Sequence, residues 1–462
     1  MQQNDTIIAL ATPSGAGAIA VIRLSGPEAI AMVDAFFKSI HSKKLASQKT
    51  HTIHLGHIID GSTILDEVLV SVFKNPQSYT GENIVEISCH GSSYIQQEII
   101  QLFVRNGARI ANPGEFTLRA FLNAKLDLSQ AEAVADLIAS DNKASHQIAM
   151  QQMRGGFSNE IKALRDELLN FASLIELELD FSEEDVEFAD RKQFEELLQR
   201  IINVLKHLID SFSTGNVIKN GIPISIIGAP NVGKSTLLNA LLNEDKAIVS
   251  DIAGTTRDAI EDEITIQGIK FRFIDTAGIR TTDDTIESIG IKKTFEKITQ
   301  SQVVLYLIDA SKVTSETIQV FNTDIRKIQE QYPDKQLIVV ANKMDQADQT
   351  FIETSFVYPH TLFTSAKSGL GIETLKSKLL EFVNTGALRN NDTIITNSRH
   401  YDSLLKALSD VQKVQQGMDA KLSGDLLAID IRQALYHFGE ITGEITSDDL
   451  LGNIFANFCI GK

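Results

Sequence analysis

The feature that most restricts the fold of this chain is a glycine-rich loop between a short apolar segment and a helical one. Residues 224–227, ISII, predict a buried strand, and residues 236–243, TLLNALLN, have the apolar spacing of a helix. The loop between them, residues 228–235, reads GAPNVGKS and has the spacing GxxxxGKS. Glycines in such a loop let backbone N–H groups surround phosphate groups. The loop therefore predicts an α/β domain that binds a nucleotide.

Neighbouring side chains predict how that nucleotide is held. Lys234 is expected to reach the β- and γ-phosphates, and the Ser235 hydroxyl is expected to bind Mg²⁺. A second apolar strand ends at the sequence DTAG, residues 275–278. Asp275 is placed to support the Mg²⁺ shell, and the Gly278 N–H is placed to sense the γ-phosphate. Lys234 and Gly278 thus have predicted catalytic roles in phosphoryl transfer.

A further segment predicts which base is bound. A strand over residues 337–340 leads to NKMD, residues 342–345, and SAK, residues 365–367, follows another short strand. The Asp345 carboxylate can accept hydrogen bonds from the N1–H and the exocyclic amine of guanine. Adenine has no N1–H, so its bare N1 would leave the carboxylate unpaired, and such a mismatch discriminates strongly. The sequence therefore predicts GTP and not ATP.

The residue after the DTAG glycine points to a less common route of hydrolysis. Ras-like GTPases carry a glutamine there to orient water, but this chain has Ile279, which cannot do so. The catalytic group must therefore come from elsewhere. The sequence GTTRD, residues 254–258, looks like a first switch whose threonine completes the coordination of Mg²⁺.

The remaining segments predict a multidomain α/β and α+β fold. Residues 1–120 combine β-branched runs with Gly-rich turns, which is typical of an α+β domain. Residues 121–218 and 381–462 have helical spacing, and residues 219–380 alternate strands with helices. That alternation predicts a parallel sheet with helices on both faces. The simplest assembly is one discontinuous helical domain into which the P-loop GTPase (G) domain is inserted.

Two details are predicted for the first helical segment. Ser129 with Glu132 fits a capping box at the start of a helix. Four apolar residues spaced for one helical face follow, namely Ile161, Leu164, Leu168 and Phe171.

Composition excludes several classes of protein. The formal net charge is −17, and the two helical segments carry 13 of these excess negative charges, which argues against a nonspecific nucleic-acid coat. No apolar run reaches the ~18 residues of a membrane helix. Two cysteines, Cys89 and Cys459, cannot build a disulfide framework or a Cys-rich zinc site. Without a signal-peptide pattern at the N-terminus, we expect a cytoplasmic protein.

Long strings outside the G domain resemble a known family. The chain contains DTIIALATPSGAGAIAVIRLSG at residues 5–26, YTGENIVEISCHG at 79–91 and NPGEFTLRAFLNAKLDLSQAEAVADLI at 112–138. NSRH follows at residues 397–400, and ITGEITSDDLLGNIFANFCIGK closes the chain at 441–462. The motifs of the G domain are similar to those of Era-type GTPases. Together the strings resemble the MnmE (TrmE) family of tRNA-modification GTPases over the whole chain.

The resemblance implies a domain order and a set of partners. It implies an N-terminal tetrahydrofolate-binding and dimerisation domain at residues 1–120, followed by the helical and G domains already outlined. It implies a homodimer that works with an FAD-dependent, MnmG-like protein in a heterotetramer or larger complex. The complex would add a carboxymethylaminomethyl or aminomethyl group to C5 of the wobble uridine of certain tRNAs. Because the helical segments are acidic, we expect the chain alone to bind tRNA weakly.

The resemblance also implies cofactors and the residues that hold them. Glu287 would position the attacking water, which is the role that Ile279 cannot fill. Mg²⁺ would be bound by Ser235 and Thr256, and K⁺ by Asn231, Ser250, Ile252 and Thr255. The implied folate is 5-formyl- or methylene-tetrahydrofolate, bound by Arg23, Glu86, Lys125 and Lys462. The full set implied for GTP is Asn231, Val232, Gly233, Lys234, Ser235, Thr236, Ser250, Asp251, Ile252, Ala253, Gly254, Thr255, Thr256, Asp275, Thr276, Ala277, Gly278, Asn342, Lys343, Asp345, Ser365, Ala366 and Lys367.

Alternatives stay open at several points. From the residues alone, Asn231 can equally be a loop asparagine that bonds its own backbone, and the spacing of Glu287 favours a solvated loop acid. Cys459 is either a thiol near the folate or a small buried side chain. Two other functions are an Era-type ribosome-assembly GTPase and a folate one-carbon-transfer enzyme with a regulatory G domain. The first would carry a basic RNA-binding module, which this chain lacks.

Overall fold

The computed structural model describes residues 5–180, 190–243, 262–274, 298–356, 358–381, 393–456, 458 and 461. The chain divides into two compact units. The first unit comprises Met1–Ala139, Ala149–Leu205 and Asp402–Lys462, and the second comprises Ser140–Ile148 and Lys206–Tyr401. The second unit contains the P-loop and interrupts the first in sequence, as the insertion hypothesis requires. The finer division into four segments stays a prediction.

The N-terminal part of the first unit is built on a seven-stranded sheet. Its strands are β1 (Ile7–Leu10), β2 (Ile19–Ser25), β3 (Phe37–Ser39), β4 (Thr52–Asp60), β5 (Thr63–Phe73), β6 (Ile84–His90) and β7 (Arg109–Ile110). The spatial order is β3-β4-β5-β6-β2-β1-β7, and only the β1–β7 pair is parallel. Helices α1 (Ala29–Phe36) and α2 (Ser93–Arg105) pack apolar residues on one face. On the neighbouring strands β2 and β6, the other face carries Arg23 and Glu86.

Helices form the rest of the first unit. They are α3 (Glu115–Leu122), α4 (Leu128–Ala139), α6 (Gly156–Asp180), α13 (Gly424–Thr442) and α14 (Asp448–Ala456). Three more helices, α5 (Lys143–Met153), α7 (Arg191–Asn220) and α12 (Ser398–Asp419), have residues in both units. Helix α6 packs along α13, so elements from both helical segments associate in one unit. On α6, Ile161, Leu164 and Leu168 are buried, and Phe171 is half-buried, as their spacing predicts.

The capping box predicted for α4 is wrong by two residues. The side chain of Asp127 accepts a hydrogen bond from the backbone N–H of Gln130 at 2.9 Å, and the Gln130 side chain accepts one from the Asp127 N–H at 3.0 Å. The Ser129 hydroxyl donates to the Asp127 carboxylate. Asp127 therefore caps the helix, since its carboxylate is a better acceptor than a hydroxyl and Gln130 completes the reciprocal pair.

The second unit is built on a six-stranded sheet covered on both faces. Its strands are β8 (Ile222–Ile227), β9 (Asp262–Ile266), β10 (Ile269–Phe273), β11 (Val303–Asp309), β12 (Gln336–Asn342) and β13 (Thr361–Phe363). The order is β13-β12-β11-β8-β10-β9, and every pair is parallel except β9–β10. Alternate residues of β11 and β12 belong to two separate apolar cores. The covering helices are α8 (Lys234–Asn243), α9 (Thr317–Gln331), α10 (Gln349–Ser355) and α11 (Ile372–Glu381).

This architecture agrees with the predicted parallel sheet, with β9 as an antiparallel edge strand. Helices α8 and α11 contribute to one core, and α9 and α10 contribute to the other. Ligands of open α/β sheets bind outside the carboxyl ends of parallel strands. That edge is where the glycine-rich loop and the NKMD segment lie. Among the described residues no helix combines the length and apolarity that crossing a membrane requires.

Candidate nucleotide-binding site

The phosphate loop joins the carboxyl end of β8 to the first residue of α8. Gly228 has φ +148°, and a Cβ at this position would lie 2.4 Å from the carbonyl oxygen of Leu307. Gly233 has φ +101°, and a Cβ there would lie 2.4 Å from the side-chain nitrogen of Asn342. A side chain at either position would be strained and would collide with its neighbours. The two glycines therefore fix the path by which the loop curls between β8 and α8.

Lys234 and Ser235 begin helix α8. The Lys234 ammonium donates hydrogen bonds to the carbonyl oxygens of Gly228 at 2.7 Å and Ala229 at 3.0 Å, so it lies over the loop. The N–H groups of the first helical turn have no partners within the helix and favour anions. Lys234 and this turn therefore provide positive charge for phosphates, and the half-buried Ser235 lies beside them.

Asn342 connects the base-binding side of the site to the phosphate loop. Its side chain is buried, with 2% of the residue exposed. The amide nitrogen donates to the carbonyl oxygen of Val232 at 2.9 Å, and the amide oxygen accepts from the N–H of Ala366 at 3.0 Å. The Thr364 hydroxyl donates to the same oxygen at 3.4 Å. One asparagine therefore holds the phosphate loop and the segment that follows β13 in fixed positions.

Lys343 makes a second connection to the phosphate loop. It has a left-handed backbone, with φ +64°. Its ammonium donates to the backbone carbonyl oxygen of Asn231 and to Oδ2 of Asp309, both at 2.7 Å. Burial alone would raise the pKa of the Asp309 carboxyl, but hydrogen bonds from Lys343 and Ser311 outweigh burial and lower that pKa. Asp309 is therefore a buried anion that fixes the lysine.

Asp345 presents an ionised carboxylate at the surface of the site. Oδ1 accepts a hydrogen bond from the buried Ser365 hydroxyl at 2.6 Å, and Oδ2 accepts one from the Gln346 amide at 3.3 Å. The hydrogen bond from Ser365 is the main reason why the pKa of Asp345 is lowered. The exposed carboxylate is thus oriented by its neighbours and keeps lone pairs that can accept the two donors of a guanine edge.

The structure brings together all the predicted GTP residues that it describes. Those on the phosphate-loop side are Asn231, Val232, Gly233, Lys234, Ser235 and Thr236, and those on the base side are Asn342, Lys343, Asp345, Ser365, Ala366 and Lys367. The other predicted positions lie outside the described residues. They are Ser250, Asp251, Ile252, Ala253, Gly254, Thr255, Thr256, Asp275, Thr276, Ala277, Gly278 and Glu287. Their roles stay predictions.

The predicted folate residues lie in the first unit. Arg23 and Glu86 are partners across β2 and β6, with a guanidinium-to-carboxylate distance of 2.8 Å. The Arg23 guanidinium also lies 5.7 Å from the Tyr79 ring centroid and 5.6 Å from that of Phe116. Glu86 and two aromatic rings therefore orient Arg23. The Arg23 and Glu86 side chains remain partly exposed, which leaves polar edges for a ligand.

Lys125 lies beside the loop that carries Tyr79. Its ammonium donates to the carbonyl oxygen of Pro76 at 3.1 Å, and its side chain packs near Gly81. The remaining predicted positions of this region, Cys459 and Lys462, lie outside the described residues. Assignment of a folate site to these residues stays a prediction.

Three residues that contact the predicted site residues were not predicted from the sequence. Asp309 carries a signal that could have been read, since it ends the apolar strand VVLYLID at the ligand-binding edge of the sheet. Tyr79 and Phe116 carry no such signal, because their proximity to Arg23 depends on how α3 and the loop before β6 pack. The Tyr79 hydroxyl and the Thr117 hydroxyl of α3 are hydrogen-bonded at 2.9 Å, which ties these two elements together.

Comparisons with known proteins cover the whole chain. The family model described as "MnmE helical domain" matches residues 128–459, and the one described as "GTP-binding protein TrmE N-terminus" matches residues 6–125. Among solved structures, the G domain of the T. maritima FeoB iron transporter is similar over 35% of this chain and 99% of that chain, at 23% identity and a TM-score of 0.25.

Three relatives that match over almost their whole length carry one and the same name. A protein of Christiangramia forsetii named "tRNA modification GTPase MnmE" is 67% identical over 474 residues, covering 100% of both chains. A Cytophaga hutchinsonii protein of that name is 56% identical, covering 99% of this chain and 98% of its own. One from Bacteroides fragilis is 54% identical, covering 99% and 100%. This chain therefore belongs to the MnmE family of tRNA modification GTPases.

Proposed function

We propose that this chain hydrolyses GTP to drive the modification of the wobble uridine of certain tRNAs. Family membership makes the chain a GTP hydrolase, and relatives named for tRNA modification support the wider role. The observation that carries the proposal is the arrangement around Asn342, which joins a guanine-selective segment to a phosphate loop. This arrangement suits a nucleoside triphosphate whose base and phosphates are held at the same time.

Hydrolysis is proposed to need K⁺ and Mg²⁺ and to use Glu287 for the attacking water. Support comes from Ile279, which cannot orient water, and from the donor set of the loop. Asn231 is exposed and offers an amide oxygen, and Ser235 offers a hydroxyl beside the Lys234 ammonium. Oxygen atoms of these kinds suit hard cations. When bound, such cations would supply positive charge beside the phosphates, where Lys234 already contributes one.

The first unit is proposed to bind 5-formyl- or methylene-tetrahydrofolate. Glu86 can accept hydrogen bonds from the donors of a pterin ring, while Arg23 and Lys125 can meet a carboxylate tail or a formyl oxygen. The pre-oriented Arg23–Glu86 pair supports this assignment, because both side chains are held yet partly exposed. When bound, the folate would supply a one-carbon unit. The chain's own residues would bind and orient it.

The proposed partners follow from the same hypothesis. The chain would form a homodimer in the cytoplasm and would act with an FAD-dependent, MnmG-like protein on tRNA. The reaction would add a carboxymethylaminomethyl or aminomethyl group to C5 of the wobble uridine. Since the two helical segments are acidic, the partner would provide most of the attraction for tRNA phosphates.

Reconstitution tests this proposal. The purified chain, the flavoprotein partner, an unmodified tRNA, GTP and methylene-tetrahydrofolate are incubated in K⁺ and Mg²⁺. An ammonium salt or glycine is added as the source of the nitrogen, and the wobble nucleoside is measured by mass spectrometry. We expect modification with GTP and none with ATP. The variant Asp345→Asn should no longer support modification with GTP but should support it with xanthosine triphosphate. Xanthine presents an acceptor where guanine presents its amine, and the asparagine amide can donate to that acceptor. Modification that proceeds without any nucleoside triphosphate would contradict the proposal.

The same experiment separates the alternatives. A folate one-carbon enzyme with a regulatory G domain would turn over folate without transferring carbon to tRNA. An Era-type ribosome-assembly GTPase would hydrolyse GTP, leave the wobble uridine unmodified and co-purify with ribosomal subunits. Each outcome would replace the proposed role with a different one.

A further inference from the structure

Asp309 closes a chain of contacts between the base-binding segment and the phosphate loop. It is the last residue of β11, and only 5% of it is exposed. Oδ1 accepts hydrogen bonds from the Ser311 hydroxyl at 2.6 Å and from the Ser311 N–H at 3.2 Å. Oδ2 accepts a hydrogen bond from the Lys343 ammonium at 2.7 Å. Both oxygens are therefore engaged, and the carboxylate has one fixed orientation.

This carboxylate determines where the Lys343 ammonium lies. A lysine side chain has four flexible methylene groups and keeps its place only where its donors find acceptors. Two acceptors hold this ammonium, the Asp309 carboxylate and the Asn231 carbonyl oxygen, both at 2.7 Å. Without the carboxylate, the ammonium would be free to leave the Asn231 carbonyl for water.

The hydrogen bond from Lys343 matters for Asn231 because the backbone of Asn231 has a positive φ angle. Its φ is +61°, in the left-handed region that residues with a Cβ adopt at a cost, a cost that is smaller for asparagine than for most. Such conformations persist where the surrounding structure enforces them. The hydrogen bond from Lys343 to the Asn231 carbonyl fixes the peptide unit that sets the direction of this side chain.

We propose that Asp309 is a positioning residue for hydrolysis, which acts through Lys343 to fix the backbone of Asn231 and the orientation of its side chain. Because Lys343 lies two residues from Asp345, a guanine base seated against this segment would also order the phosphate loop. The expected effect on cation activation rests on the proposed role of Asn231 as a potassium ligand. The expected effect on the order of the loop rests only on the contacts described here.

Two measurements on the full-length protein test the proposal. The first is the K⁺ concentration that gives half-maximal GTP hydrolysis at constant ionic strength. The second is amide hydrogen exchange over residues 228–234, with GDP bound. The variants are Asp309→Asn, which removes the charge, and Asp309→Glu, which restores it. The matched control is Asp348→Asn, since Asp348 is an exposed acid that caps α10 and has no part in these contacts.

We expect Asp309→Asn to raise the half-activating K⁺ concentration on the order of 10- to 100-fold, as loss of a residue that orients a metal ligand does. Exchange over residues 228–234 should increase as well. Asp309→Glu should recover part of both effects, and Asp348→Asn should match the wild type. In the background of Asn231→Ala, adding Asp309→Asn should change the K⁺ response little, because both changes act on one ligand.

The outcomes are distinguishable. If wild-type hydrolysis responds to K⁺ but Asp309→Asn keeps the wild-type midpoint and loop exchange, the inference is overturned. If the wild type is insensitive to K⁺, the proposed cation role fails, and loop exchange alone decides whether Asp309 positions Asn231. Should Asp309→Asn fail to fold, Ser311→Ala offers a milder change, because it removes one hydrogen bond to the same carboxylate and should shift both measurements in the same direction.

Discussion

Replacing Asn342 by alanine tests whether one buried side chain holds the nucleotide site together. The change would leave the Val232 carbonyl and the Ala366 N–H without the hydrogen bonds that Asn342 now makes at 2.9 and 3.0 Å. Ala366 and Val232 are both buried, so water cannot readily replace these bonds. Each buried polar group left unpaired costs about 1–3 kcal/mol, which gives about 2–6 kcal/mol for the pair.

This cost is a large part of the ~5–15 kcal/mol that stabilises an ordinary folded protein. The assay is urea denaturation followed by circular dichroism, with and without GDP, because the chain has no tryptophan. Hydrogen exchange localises the change, and we expect it in β12, the phosphate loop and the segment after β13. The control is Asn220→Ala, since Asn220 is exposed at the end of α7 and should change stability by no more than about 0.5 kcal/mol. A destabilisation by Asn342→Ala no larger than that of the control would show that the Asn342 side chain does not hold the site together.

Two further predictions concern charged groups away from the nucleotide. Arg119 is buried among acidic groups that include Glu115, so Arg119→Ala should destabilise the first unit by about 3–5 kcal/mol in thermal or urea denaturation. The control is Arg105→Ala, which should cost about 0–1 kcal/mol because the ion pair of Arg105 is exposed. The Lys270 ammonium lies 2.6 Å from Asp141, whose pKa is lowered from 3.8 even though burial alone would raise it. The pair should therefore stabilise the protein at neutral pH, but by at most about 1 kcal/mol, because the Asp141 side chain is half exposed. This contribution should vanish as the pH falls below 4 and through the lowered pKa, because Asp141 is then protonated in the folded protein as well. Lys270 also pairs with Glu263 at 2.7 Å, so the variant that isolates the contribution of Asp141 is Asp141→Asn. Urea midpoints of wild type and Asp141→Asn should thus differ at pH 7 and converge in acid; a constant difference across this range would count against the assignment.

Sequence patterns predicted the second unit well because its signals are local. A strand, a glycine-rich loop and a helix follow one another directly in residues 222–243. Gly228 and Gly233 have positive φ angles, which glycine adopts without a steric penalty, so this turn can be recognised from the local sequence. The strands that end at Asn342 and near Ser365 are equally local. Parallel order along the sheet then brings their ends to one edge.

Contacts between distant segments could not be predicted in the same way. Asp309 and Lys343 are 34 residues apart, and their pairing depends on the register of β11 against β12. The packing of Tyr79 and Phe116 around Arg23 depends on three separate elements. The error in the predicted cap of α4 has a different cause. Asp127 and Ser129 are both good capping residues, and only the structure shows which one the backbone uses.

GTP hydrolysis by the purified chain, compared in K⁺ and in Na⁺ at matched ionic strength, decides whether a cation drives the reaction. We expect much faster hydrolysis in K⁺ for the wild type, and loss of that preference in Asn231→Ala with GDP binding retained. Equal rates in both salts would contradict the claim that a cation beside the phosphate loop drives hydrolysis. The catalytic charge would then have to come from a residue of a partner protein.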